Sequence, residues 1–195
     1  MIIVIAKFLL TGFFFSSLLM CVMPVVQASA AEIEGIRFDD QYRTANLVLP
    51  LRGLGTLKYM VVIKVYVAAF YLGDGAPSEE VLSDTPKRLV IHYFRGIEAK
   101  DFARSTDALI MKNVGSEVFE RLRPRISRLN ALYEDVHRGD RYSLTYIPGT
   151  GTELGLNGIS KGVIMGNDLA QAVFSMWFGA SPLDISLKNA LLGKP

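Results

Sequence analysis

The chain has 195 residues, with 21 Lys and Arg against 19 Asp and Glu, and a single cysteine, Cys21. A balance this close to neutral leaves no electrostatic footprint for nucleic acid. One cysteine excludes an internal disulfide framework and leaves no paired thiol for redox chemistry.

The N-terminus differs from everything after it. Lys7 precedes the apolar run 8–26, and Gln27-Ala28-Ser29-Ala30 follows with small residues where a signal peptidase reads. A basic start, an apolar centre and an Ala-x-Ala end predict a signal peptide over residues 1–30, cleaved near Ala30, and a periplasmic or secreted mature protein. The run is long enough for a membrane anchor, but Thr11, Ser16, Ser17 and Pro24 interrupt it. Removing it leaves 195 − 30 = 165 residues, a length that suits one domain over 31–195. Cys21 leaves with the signal, and no later stretch is long and apolar enough to span a bilayer.

Residues 35–39 and 45–51 are short strand candidates. The strongest β signal is 57–72. Its odd positions form an unbroken apolar and aromatic face, while Lys58 and Lys64 stand among apolar neighbours on the even face. Period-two alternation with β-branched enrichment predicts a strand here, long enough to need a bend or bulge. The even face is either a solvated edge or the lining of a cleft that takes an amphipathic anion. Residues 87–95 make a further strand, closed by Gly96.

Helices follow. Residues 98–113 place Phe102, Thr106, Leu109 and Asn113 on one stripe. Thr106 and Asn113 are polar on an apolar stripe, so they bond to backbone or face a cavity that holds water or ligand. Residues 116–135 form a second helical region, which Pro124 is expected to split or kink. Arg121, Arg123, Arg125 and Arg128 cluster there, either on a solvated face or toward an anionic partner. Residues 141–147 and 152–157 flank Pro148-Gly149-Thr150-Gly151 as a hairpin. Residues 167–178 are apolar nearly all round and predict a central buried helix, ended by Gly179; a last helix covers about 184–192. Strands, then helices, a hairpin and helices again predict an α+β fold, a mostly antiparallel sheet with helices on one face.

Catalytic constellations are scarce. His92 and His137 have no ligand partner at metal-binding spacing, and no Gly-x-Ser-x-Gly elbow or phosphate loop is present. No metal or cofactor is expected.

The order of several motifs is informative. Residues 63–72 (Ile-Lys-Val-Tyr-Val-Ala-Ala-Phe-Tyr-Leu), Gly139-Asp140, Tyr146-Ile147-Pro148-Gly149, Trp177-Phe178-Gly179, Leu187-Lys188 and Leu191-Leu192-Gly193 occur in sequence. In that order they resemble the bacterial exported, chalcone isomerase-like branch of the chalcone isomerase superfamily, over about 34–193. The resemblance implies an open-faced β-sandwich with a ligand cleft between sheet and helices. Of the superfamily's catalytic positions, the helical asparagine matches Asn113, and Arg52 is the nearest match to the arginine. Thr106 stands in place of the tyrosine, Val61 in place of the strand threonine, and Met176 in place of the late hydroxyl. Apolar groups at those places donate no proton, which weighs against isomerisation. The superfamily's fatty-acid-binding members imply a better fit: apolar burial of a fatty-acid-like amphipathic small molecule, oriented by Arg52 or Lys58, with Thr106 and Asn113 in the cleft. The other readings are a lyase or isomerase acting on a conjugated carbonyl compound, and a structural or interaction protein whose cleft is filled by Met60, Phe102 and Trp177.

Overall fold

A computed structural model describes residues 30–60, 62–73 and 80–194. Residues 1–29 of the predicted signal segment, with Cys21, and Val61 lie outside the described residues.

Two short strands, β1 (Ala30–Ile33) and β2 (Ile36–Asp39), form a separate antiparallel hairpin. The main sheet has seven antiparallel strands in sequence order: β3 (Gln41–Thr44), β4 (Leu47–Tyr59), β5 (Ile63–Leu72), β6 (Lys87–Tyr93), β7 (Arg141–Ile147), β8 (Gly151–Leu156) and β9 (Ile159–Ile164). Between β6 and β7 the chain leaves the sheet to make α1 (Ala99–Val114) and α2 (Ser116–Asn130); α3 (Asn167–Phe178) and α4 (Ile185–Leu191) follow β9. This is the expected α+β architecture, with one helical layer over the sheet.

Strand alternation sorts the side chains into two cores. Tyr66, Ala68, Phe70 and Leu72 of β5 join Leu89, Ile91 and Tyr93 of β6 in the large core under α1, α2 and α3. Val67, Ala69 and Tyr71 point the other way, into a smaller core with Phe38 and Leu49 that the β1–β2 hairpin covers. A strand buried on both faces reads as a near-continuous apolar run, as β5 does.

The single long strand expected over 57–72 is two strands. The chain reverses at Met60 (φ 49°), so β4 ends at Tyr59 and Lys58 pairs with Lys64 across a hairpin. The even face therefore divides: Tyr66, Ala68 and Phe70 are buried under the helices, while Lys58 and Lys64 are exposed near the hairpin end. Register shifts in β4 at Leu51/Gly53 and Leu57/Lys58 supply the expected irregularity. Helix α4 crosses β4 closely at Gly55, where an added Cβ would lie 2.6 Å from Leu187 Cδ1.

Helix α2 runs unbroken through Pro124 rather than splitting there. Phe119, Leu122, Ile126 and Leu129 all bury on one stripe, and Pro124 sits on the exposed side. Core burial of that stripe outweighs the one lost backbone bond. Arg125 clamps this helix to the start of α3 through a bidentate pair with Asp168, at 2.6 and 2.8 Å. Arg121, Arg123 and Arg128 are exposed, with Arg123 paired to Glu120.

Candidate functional site

Sheet and helices do not close completely on one another. A cavity of about 200 Å³ lies between β4–β8 on one side and α1 and α3 on the other. Its wall is predominantly aliphatic and aromatic, with Leu57, Val65, Ile91, Leu109, Leu154 and Met176 among the lining residues. Exposed Ser105 and Leu183, together with half-buried Leu57, Val65 and Asp101, mark the side that opens to solvent.

Five aromatic side chains give the cavity its shape. The Phe102 ring stacks on Tyr133 at 5.4 Å and meets Tyr142 and Tyr93 edge-on at 5.3 and 5.6 Å. Tyr66 lies edge-on to Tyr93 at 5.7 Å. These are the offset and T-shaped geometries that ring quadrupoles favour, so the cage is held independently of any ligand.

The hydroxyls in the cage differ in how they are satisfied. Tyr142 Oη is used twice, donating to Glu134 O at 2.9 Å and accepting from Glu134 N at 2.7 Å. Thr106 Oγ1 and Tyr133 Oη share one hydrogen bond of 3.0 Å. Tyr66 Oη accepts from Trp177 Nε1 at 3.1 Å, which leaves its own proton to give. Tyr93 is 3% exposed and its hydroxyl makes no hydrogen bond among the described residues, yet it is not one of the fully enclosed unpaired polar atoms, so its oxygen meets the open space of the cavity. Water in the cavity, or a ligand that displaces it, is what can pair with that hydroxyl.

All of these phenols remain protonated at neutral pH. Burial pushes Tyr133 up to about 12 and raises Tyr66, Tyr93 and Tyr142 as well. The neighbouring phenols of Tyr66, Tyr133 and Tyr142 raise Tyr93 further. The cavity thus offers neutral O–H donors on an apolar wall. Its one lining carboxylate, Asp101, sits at the open side and pairs with Arg104 at 3.3 Å.

Of the four residues singled out from sequence, Thr106 lines this cavity; Arg52, Lys58 and Asn113 do not. Arg52 and Lys58 are exposed on β4. Asn113 is fully engaged with backbone: Nδ2 donates to Leu109 O and Ser181 O, and Oδ1 accepts from Ser181 N, each at 2.9 Å. It pins the end of α1 to the loop after α3. Met176 lines the cavity, and Met60 is 70% exposed and does not plug it. Sequence reasoning missed Tyr93, Tyr133 and Tyr142, which come from a strand end, a post-helix turn and a strand start that share no local spacing.

A chalcone isomerase-like family model matches residues 30–193. The chain belongs to the chalcone isomerase-like family. Among solved structures, a fatty-acid binding protein of Arabidopsis thaliana superposes with a TM-score of 0.65 at 15% identity, covering 84% of this chain and 96% of that one. At that identity the likeness carries the fold alone. No curated protein matches the sequence.

Proposed function

We propose that this chalcone isomerase-like protein binds an amphipathic small molecule in the cavity between sheet and helices, as a carrier or sensor rather than a catalyst. The observation that carries the reading is the Tyr93 hydroxyl, which has no partner among the described residues and lines a predominantly apolar cavity. An oxygen acceptor on a ligand satisfies it, and the Tyr66 proton is available beside it.

The size of the cavity sets what enters. About 200 Å³ exceeds the ~150 Å³ apolar cavity that takes up benzene. A ring or an acyl segment of about six carbons fits inside, with any further length at the open side. About six methylenes at ~0.8 kcal/mol each contribute ~5 kcal/mol gross. One neutral hydrogen bond adds about 0.5–1.5 kcal/mol, so apolar burial dominates affinity and the hydroxyls orient the ligand. Fatty-acid binding by the Arabidopsis protein of the same fold supports the class. Catalysis is disfavoured by the lining: no histidine faces the cavity, the phenols stay neutral, and Met176 has no proton to transfer.

Titration with a displaceable fluorescent fatty acid, and with its methyl ester, tests the reading. Saturable one-site binding of either supports it; absence of binding for both overturns it. We also read residues 1–30 as an export signal, on the pattern of Lys7, the apolar run and Ala28-Ser29-Ala30. N-terminal sequencing of the protein from its host tests this: a start at Ala31 supports it, and a start at Met1 overturns it.

A further inference from the structure

The opposite face of the sheet carries a second cavity, of about 220 Å³, between β6–β7 and the β2–β3 segment. Its floor is Val90 and Ser143, which pair across the two strands. Arg88 and Arg141 flank that floor diagonally, because Arg88 pairs with Thr145 and Arg141 with His92. Phe38, Asp39 and Tyr42 form the cover.

Each guanidinium is held by stacking and by neutral partners. Arg88 lies over the Tyr42 ring at 4.2 Å and donates to Thr145 Oγ1. Arg141 lies over Phe38 at 5.0 Å and donates to His92 Nδ1 at 3.3 Å and to Arg37 O at 3.1 Å. Stacking occupies the guanidinium faces and leaves N–H donors at the edges, where oxyanions bind bidentately. Among the described residues, neither arginine forms an ion pair. Arg88 is largely desolvated, which pulls its pKa down; Glu153 and the phenols of Tyr42 and Tyr71 oppose that shift without an ion pair to Glu153. Ser143, 8% exposed, lines the cavity with a hydroxyl that bonds to no described residue. Two guanidiniums without a direct ion pair and a hydroxyl without a described partner thus surround one void, with Asp39 the one carboxylate in its lining.

We propose that this back-face cavity is a second ligand site, independent of the helix-side cavity, that takes a small organic monocarboxylate. Arg88, Arg141 and the Ser143 hydroxyl hold the carboxylate, and Phe38, Tyr42 and Val90 cover its apolar part. The apolar cover favours an organic acid over inorganic phosphate. Asp39 in the lining and Glu153 on β8, opposite Thr145, disfavour a dianion.

The test is an NMR titration of the full chain with benzoate, benzamide and inorganic phosphate. Benzoate is expected to shift the amides of Arg88, Val90 and Ser143, with benzamide at least about ten-fold weaker, the scale of one lost charge-assisted bond. Arg88→Met and Arg141→Met should each weaken benzoate about ten-fold or more. Ser143→Ala, which leaves both stacked arginines in place, should weaken it several-fold even where an arginine variant fails to fold. Benzamide or phosphate binding as tightly as benzoate overturns the assignment. So do benzoate shifts confined to Phe102 and Leu109 on the helix side, or unchanged affinity in all folded variants.

Discussion

Replacing Tyr93 by Phe separates a ligand-binding cavity from an incidental void, because the two make opposite forecasts. The substitution keeps the ring, and with it the edge contacts to Tyr66 at 5.7 Å, Phe102 at 5.6 Å and Tyr142 at 6.2 Å. What it removes is one hydroxyl that has no protein partner. In ligand-free protein this removes a group that only cavity water can pair with, so at most part of the about 1–3 kcal/mol cost of an unpaired hydroxyl is relieved. Stability should therefore stay level or rise by up to ~1–2 kcal/mol in urea unfolding at constant m-value. Affinity should move the other way, falling about 2- to 13-fold as a hydrogen bond of about 0.5–1.5 kcal/mol is lost. The assay pairs denaturant unfolding with fluorescent fatty-acid titration on both proteins. A variant that loses more than ~1 kcal/mol of stability and binds ligand unchanged refutes the reasoning, since the hydroxyl would then be serving the fold.

Three further outcomes follow from the same geometry. Asn113→Ala deletes three hydrogen bonds to backbone and should cost about 2–3 kcal/mol in unfolding free energy while leaving ligand affinity within about two-fold; the reverse pattern would place Asn113 in the site. Ser105→Trp puts an indole across the open side of the cavity from an exposed position, so binding should fall at least ten-fold with little change in melting temperature; undiminished uptake would mean the ligand enters elsewhere. Lys87 is wholly buried, its Nζ 2.6 Å from Ser83 O and over the rings of Tyr146 and Phe174, and burial pulls its pKa from 10.5 to about 8, with Asp84 opposing. Between those values the unfolded chain holds a proton that the folded chain has released, so stability should climb with pH, by about 1–2 kcal/mol from pH ~7.5 to ~9.5. Above about pH 10 the buried tyrosines reverse the trend, because they ionise more readily once unfolded. Lys87→Met should abolish the climb, and its persistence would trace it to another group.

Legibility in the sequence followed the physics of each segment. The helix over 167–178 is plain because apolar residues surround it, and the strand over 87–93 because the apolar run Leu89-Val90-Ile91 is closed by Gly96, while its alternating burial is visible only in the fold. Residues 57–72 resemble a single strand in sequence because Met60 and Val62, at the reversal, are not turn-forming types and both arms alternate in phase. Strand β9 was not legible: its exposed Ile159 and Val163 and its central Gly162 give no consistent face. Thr106 was found because a polar residue on an apolar stripe needs a partner, and the same logic named Asn113, whose partners proved to be backbone. The tyrosine cage had no local signature at all. Tyr93, Tyr133 and Tyr142 meet only after α1 and α2 fold back between β6 and β7.

Native mass spectrometry of the protein isolated gently from its own host bears most directly on the cavity's role. Occupancy predicts a fraction of molecules heavier by one small amphipathic compound, with that extra mass lost on Ser105→Trp. Bare protein throughout, together with no uptake when fatty acids or their esters are added back, would leave the space beneath α1 a packing defect and contradict the account.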